Sequence, residues 1–369
     1  MQQIYLDYNA STPLAPEVAA VMHRLTGEAF GNPSSTHWAG APAREAIDQA
    51  RSQVASLLGC GADEIIFTSG GSEANNFALK GMFYATPAGP FHLITTAVEH
   101  PAILAPAAFL ESRGARVTRL PVDRHGLVDP DDLERAIRTD TQLISIMHAN
   151  NEVGTIEPIE ACSQIARKHG VPFHTDAAQS VGKVPTRVDE LGVDMLSLAG
   201  HKFYAPKGVG ALYVRRGISL EPLIHGAGHE GGRRAGTESA LLVAALGAAS
   251  VLAADLSVVS GIRQLRDELW RRIEKSFGDR VVLNGHPDQR LPNTLNVSFV
   301  GRNGGEILAG MPGLAASTGS ACHSDRIELS PVLEAMGVET EAGMGSIRFS
   351  LGRPTTADDI DQVSAWITT

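Results

Sequence analysis

Residues 64–76 read Glu-Ile-Ile-Phe-Thr-Ser-Gly-Gly-Ser-Glu-Ala-Asn-Asn. A β-branched and aromatic run stops at Thr68, glycines turn the chain, and a helical pattern opens at Ser72 or Glu73. This strand–turn–helix unit sets the reading of the next 140 or so residues. Apolar runs begin with 64–68 and recur at 92–97, 116–121, 142–148, 172–176, 195–199 and 210–214. Helical patterns fill most of the gaps, at 73–83, 102–113, 130–137 and 159–169. Strands separated by helices of this length predict parallel crossovers and a helix-covered α/β sheet. Such sheets take ligands at the carboxyl ends of their strands, so polar residues there are the first candidates for chemistry.

Past Val214 the pattern changes. The Gly- and His-rich stretch HGAGHEGGRRAGTES (225–239) reads as a functional loop. An apolar helix follows at 241–254, too short to span a bilayer. An amphipathic helix at 262–277, strands at 281–284, 294–299 and 346–350, and a helix at 357–367 capped by Thr355 or Thr356 complete the chain. The expected organisation is a large domain over 14–257 and a smaller α+β domain built from 1–13 and 258–369.

The chain has 369 residues, 43% hydrophobic and 20% charged, with a net charge of −10. This is an ordinary globular composition, not a disordered, collagenous or coiled-coil one. The acidic balance gives no general reason to bind nucleic acid or an anionic membrane. The three cysteines, Cys60, Cys162 and Cys322, are far apart and form no C-x-x-C pair. Neither a zinc ribbon, any other metal site nor a disulfide framework is predicted. The opening MQQIYLDYNAS lacks the basic and apolar regions of a signal peptide, so a cytoplasmic location is expected.

At Gly70-Gly71-Ser72 the backbone N–H groups and the positive end of a helix dipole make an anion cradle, with Ser72 as hydroxyl donor; a plain N-capped turn is the alternative. Asp176 ends an apolar strand, where a carboxylate can keep a pyridine nitrogen protonated or cap a helix. Lys202 follows a buried strand, where desolvation favours the neutral, nucleophilic amine. Phosphate turn, strand-end acid and strand-end lysine, in that order on one sheet, are the three holds that pyridoxal phosphate needs. His100 ends another strand and can stack on a ring or move protons. Asn150-Asn151 suits a cofactor oxygen or a substrate carboxylate, or a turn. Cys322 lies in a small, polar stretch (316–325) that reads as a flexible loop, where an exposed thiol can ionise. Cys162, by contrast, sits in an apolar pattern. Arg348 lies within a strand pattern, suited to clamp a carboxylate.

Taken together, YLDYNASTP, GNPSSTH, FTSGGSEANN, HANNEVG, HTDAAQSVGK, GHKFYAPKGVGALYVR, RAGTES, STGSACHS and SIRFSLGR resemble the cysteine desulfurases, in the class V branch of fold-type I pyridoxal-phosphate enzymes. The resemblance runs nearly end to end. It implies a large domain with a mainly parallel seven-stranded sheet flanked by helices. It implies Lys202 as the cofactor-linked lysine, Asp176 at the pyridine nitrogen, Gln179 at the ring hydroxyl, and His100 stacked on the ring. Gly71, Ser72 and His201 would contact the phosphate, Thr237 would do so from a second subunit of a homodimer, and Asn151 and Arg348 would hold the substrate carboxylate. Cys322 would take sulfur from L-cysteine as a persulfide, leaving L-alanine, and pass it to an acceptor protein or small thiol. Two features, Ala199 where a serine is common and the run ACHSD, resemble selenocysteine lyases instead. The alternative activity is release of selenide.

Overall fold

The computed structural model describes residues 3–86, 89–318, 320–323 and 326–368, with the side chains of 320–328 outside the described set. The chain enters through β1 (Ile4–Tyr5) and two helices, α1 (Pro16–Glu28) and α2 (Ala41–Leu58). The main sheet is then laid down by β2 (Ile65–Thr68), β3 (His92–Thr96), β4 (Arg116–Leu120), β5 (Thr141–Ser145), β6 (Phe173–Asp176), β7 (Met195–Ala199) and β8 (Gly210–Val214). Between them run α3 (Gly71–Ala85), α4 (Pro101–Glu111), α5 (Pro130–Ala136), α6 (Ile159–Lys168) and α7 (Val188–Leu191). The seven strands stand in the order β2-β8-β7-β6-β5-β3-β4.

Both faces are buried, and the pleat shows which residue goes where. Ile65, Phe67, Leu196, Leu198, Ala211 and Tyr213 pack with α1, α2 and α8 (Ala240–Ala254). Ile66, Met195, Leu212 and Val214 pack with α3 and α4 on the opposite face. Period-two alternation thus distributes apolar side chains to two helical layers. One strand departs from the parallel expectation. β8 is antiparallel to both β2 and β7, because only a ten-residue connection without a crossover helix separates it from β7.

A second core gathers around β9 (Val281–Asn284), β10 (Thr294–Phe299), β12 (Ser317–Thr318) and β15 (Ser346–Ser350), in the order β12-β15-β10-β9. Residues of α9 (Val259–Phe277) and α13 (Ala357–Thr368) cover it, with Ile4 and Leu6 from the N-terminus. β1 pairs in parallel with β11 (Leu314–Ala315), which draws the first residues into this half of the molecule. Thr356 caps α13, its Oγ1 accepting from Asp359 N–H at 3.2 Å while Asp359 Oδ2 accepts from Thr356 N–H at 2.9 Å.

The stretch expected to be a loop at 316–325 is different in its backbone. It contains β12 and then β13 (Ser320–His323), which pairs antiparallel with β14 (Arg326–Leu329). The alternation Arg326-Ile327-Glu328-Leu329 carries the strand period, which the small residues before it hide.

Two glycines meet where β2 ends. Gly70 has φ +152° and ψ −178°, a conformation essentially reserved for glycine. A Cβ on Gly210 would lie 2.8 Å from Gly70 Cα and 2.5 Å from Leu198 O. Gly210→Ala is therefore expected to lower stability by about 1–3 kcal/mol, read as a lower thermal midpoint at fixed scan rate; an unchanged midpoint would show that the backbone yields there at no cost.

Candidate active site

The strand ends of the main sheet open on a cleft of about 370 Å³. Gly71, Ser72, His100, Asn151, Asp176, Gln179, His201, Lys202 and Arg348 all line it. The residues from 71 to 202 converge there because parallel strands deliver their carboxyl ends to one edge, and Arg348 reaches it from β15 of the small sheet.

At one end lies the start of α3. Its first-turn N–H groups have no acceptor within the helix, and Gly71 and Ser72 supply them at the cleft wall. A Cβ on Gly71 would sit 3.2 Å from Ala199 Cβ, so a larger residue would crowd this wall. The serine hydroxyl absent at Ala199 leaves a methyl group here. Glu73 is turned away from the cleft, ion-paired with Arg234 at 2.8 Å and accepting from Ser69 N–H at 2.8 Å. The dipole end is thus left free for an anion.

The buried carboxylate of Asp176 is held from both sides. Asn75 Nδ2 donates to Oδ2 at 2.6 Å and Ala178 N–H donates to Oδ1 at 2.9 Å. His100 is the N-cap of α4, its Nδ1 accepting from Ala102 N–H at 3.0 Å. That bond places the neutral ring's proton on Nε2. The ring stays open to the cleft, yet the surrounding wall lowers its pKa, helped by Lys202 and opposed by Asp176.

Lys202 closes a single 3-10 turn, Gly200–Lys202, directly after β7. The turn is pinned by the N-terminal segment. Thr12 N–H donates to His201 O at 2.8 Å, and Tyr204 N–H donates to Thr12 Oγ1 at 2.7 Å. Tyr204 holds φ +73°, a left-handed conformation that costs a non-glycine residue about 1–2 kcal/mol. Lys202 Nζ donates to Asn9 O at 2.7 Å and Ala10 O at 2.9 Å. Burial lowers its pKa to about 8, reinforced by Arg348 and opposed by Asp176 and Asp7. His201 beside it is pushed down to about 4, again chiefly by burial, so it is neutral at physiological pH.

Arg348, only 8% exposed, donates to Asn151 O at 2.8 Å, to Asp7 Oδ1 at 2.8 Å and to Ser317 Oγ at 3.0 Å. Its Nε has no partner among the described residues. Gln179 Nε2 donates to Asn9 O at 2.9 Å, and its Oε1 accepts from Lys183 Nζ at 3.1 Å.

Two expected site residues are not gathered here. Thr237 is exposed and does not line the cleft of its own chain. The Cys322 side chain lies outside the described residues, though its backbone belongs to β13. The other two thiols are both raised to about 12, chiefly by burial. Sequence reasoning missed Asn9, Ala10, Asn75 and Asp7. Asn75 had a readable signal, since it sits one helical turn past Gly71 on the same face.

Residues 4–363 match the family model for Aminotransferase class-V. A cysteine desulfurase IscS of Dictyoglomus turgidum is 51% identical over 365 residues, 98% of this chain and 92% of the relative. This chain belongs to the cysteine desulfurase family. The cysteine desulfurase IscS of Methanosarcina thermophila is 47% identical, over 98% of this chain and 90% of its own length. Among solved structures, a NifS-like protein superposes with TM-score 0.93 at 36% identity, covering 100% of this chain and 98% of that one. A structure described as SspA in complex with cysteine gives TM-score 0.85 at 39% identity, covering 95% and 99%. Cysteine desulfurases are pyridoxal-phosphate enzymes, and the cleft fits that cofactor: a free helix N-terminus for the phosphate, a buried carboxylate, and an amine of lowered pKa.

Asn75→Ala would leave the buried Asp176 carboxylate short of one donor. A loss of about 1–3 kcal/mol at neutral pH is expected, measured by thermal denaturation; no change would mean that water replaces the amide without cost.

Proposed function

We propose that the chain removes sulfur from L-cysteine, yielding L-alanine and a persulfide on Cys322. The observation that carries this reading is the convergence of a depressed lysine amine, a buried carboxylate, a helix N-terminus and the Arg348 guanidinium in one cleft.

Pyridoxal phosphate, when bound through Lys202, supplies an electron sink for the substrate α-carbon. Gly71, Ser72 and His201 would hold its phosphate, Asp176 and Gln179 would hold its ring, and His100 would lie beside it. Arg348 and Asn151 take the substrate carboxylate, the guanidinium through charge-assisted hydrogen bonds. Released as a free amine, Lys202 removes the α-proton. A group with pKa near 8 is well matched to that task at neutral pH. The Cys322 thiolate then attacks the substrate sulfur. The S–S bond forms as the C–S bond breaks, its electron pair stays with the β-carbon, and a proton completes the methyl group of alanine. The balance is L-cysteine plus Cys322–SH giving L-alanine plus Cys322–S–SH. Cys60 and Cys162, protonated at neutral pH, are poor nucleophiles, which favours Cys322 for this step.

The active assembly is a homodimer in which Thr237 completes the partner's phosphate site. Its exposure on its own chain supports this. So does the aromatic pair Phe30 and Trp38, 71% and 80% exposed, a patch of the kind that marks an interface. A thiol nucleophile suits a reducing compartment, and the cytoplasm is the location we propose. The persulfide passes to an acceptor protein or a small thiol.

Mass spectrometry after L-cysteine treatment is expected to find one added sulfur on Cys322; sulfur on Cys60 or Cys162 instead would overturn the nucleophile assignment. Cys322→Ser is expected to stop persulfide formation while cofactor stays bound. Borohydride reduction is expected to trap the cofactor on Lys202 and on nothing in Lys202→Ala; a trapped adduct on another lysine would refute the cleft as the cofactor site. The rate with L-cysteine is expected to rise with pH toward about 8, as the Lys202 amine loses its proton. Release of selenide from selenocysteine with cysteine rejected would favour the lyase reading.

A further inference from the structure

Asn9 takes no part in the steps above, yet it is 1% exposed and engaged at every polar atom. Its N–H donates to Ser350 Oγ at 2.9 Å. Its Nδ2 donates to Thr294 Oγ1 at 2.8 Å and to Asn151 O at 3.2 Å, and its Oδ1 accepts from Asn293 Nδ2 at 3.0 Å. Its carbonyl accepts from Gln179 Nε2 at 2.9 Å and from Lys202 Nζ at 2.7 Å. The next carbonyl, Ala10 O, accepts from the same amine at 2.9 Å. Ser350, Asn293 and Thr294 belong to the small sheet and the residue before it. Asn151, Gln179 and Lys202 come from the strand ends of the large one. A single side chain therefore pins two carbonyl oxygens of the N-terminal segment to both halves of the molecule.

We infer that Asn9 is a positioning residue whose side chain fixes two main-chain carbonyls, its own and that of Ala10, as the resting place of the Lys202 amine whenever that amine is free of cofactor. The inference rests on the reading of Lys202 as the proton acceptor in the reaction. A lysine that has taken a proton is an ammonium with three donors and no acceptor. Two carbonyl oxygens satisfy two of those donors. Because they bear no net charge, they hold the ammonium without the deep trap of a buried ion pair, and the nitrogen can leave again.

The electrostatics separate this contribution from its surroundings. Lys202 is faced by Arg348 from β15, Asp7 from the N-terminal segment and Asp176 from β6. Lys183 after β6, His100 at α4 and the adjacent His201 also feel its charge. Asn9 adds no charge to this set. It acts by aiming dipoles at the amine, and hydrogen bonds to the charged form raise a pKa. Loosening those dipoles lowers it. Asparagine suits the position because its amide offers two donors and an acceptor in one plane. Aspartate would lose both donations.

The test compares the wild-type chain with Asn9→Ala. In cofactor-stripped full-length protein, the pH at which Lys202 becomes half-reactive toward acetic anhydride is read by peptide mass spectrometry. The midpoint is expected near 8 in the wild type and lower by roughly half a unit or more in the variant. In the loaded enzyme, the acidic limb of the kcat profile is expected to move the same way, with KM for cysteine changed by less than about threefold. A merely structural role would not move either limb. An unchanged midpoint in a variant with wild-type circular dichroism overturns the inference. Thr294→Val, which removes the acceptor of Asn9 Nδ2 without changing volume, is expected to lower the midpoint by less. It provides the same reading should Asn9→Ala fail to fold, and an unmoved midpoint there is equally fatal. If borohydride traps no cofactor on wild-type Lys202, the underlying reading falls instead, while the labelling midpoints still report on Asn9.

Discussion

One constraint organises the cleft: a lysine amine is enclosed far enough for burial to lower its pKa, yet keeps its hydrogen-bond acceptors. Burial lowers the amine's pKa, with Arg348 reinforcing and Asp176 and Asp7 opposing the shift, and N–H groups left without partners there would be costly. Neutral carbonyls resolve the conflict, and the main chain must bring them to Lys202 from nearly two hundred positions away. This explains why the first dozen residues leave the small half, cross the cleft and bond the turn after β7 through Thr12, Asn9 and Ala10. The left-handed Tyr204 is part of the same arrangement. Its N–H is tied to Thr12 and its hydroxyl accepts from Arg353 N–H at 2.8 Å, so strain beside Lys202 is held by bonds to both halves.

A second set of opposed requirements governs Arg348. A buried guanidinium keeps its charge and needs partners to offset its lost hydration, while one with every N–H engaged would have none left for the substrate carboxylate proposed above. Asp7, Ser317 and the Asn151 carbonyl engage its two terminal nitrogens, while Nε is unpartnered among the described residues. The guanidinium is thus mostly, and not fully, engaged. Asp7 also bears on Lys202, raising its pKa, so the acid that steadies the arginine offsets some of the arginine's effect on the amine.

Much of the fold was legible from local pattern. The seven strand positions followed from apolar runs, since each buried strand is a short self-announcing segment. The antiparallel direction of β8 was not read, because direction depends on the length and path of a connection rather than on the strand's own composition. The hairpin β13–β14 was hidden by Gly, Ser and Ala, which carry no periodicity. In the site, Asp176, Lys202 and His100 stood out because a charged or titratable residue at the end of an apolar strand is unusual. Asn9 and Asp7 did not, because an asparagine or aspartate in a polar stretch looks like any turn. Their importance comes from partners such as Ser350, 341 positions from Asn9, which no local window contains. Cys322 stood out through its small, polar surroundings, and its role as sulfur acceptor came from the family resemblance alone.

The register of the small sheet sets Ser317 directly opposite Arg348, and Thr318 opposite Ile347. The strand that leads into the β13–β14 hairpin is therefore clamped at its root to the carboxylate anchor. A change of length in the hairpin beyond that root would leave the rung that pairs Ser317 with Arg348 in place.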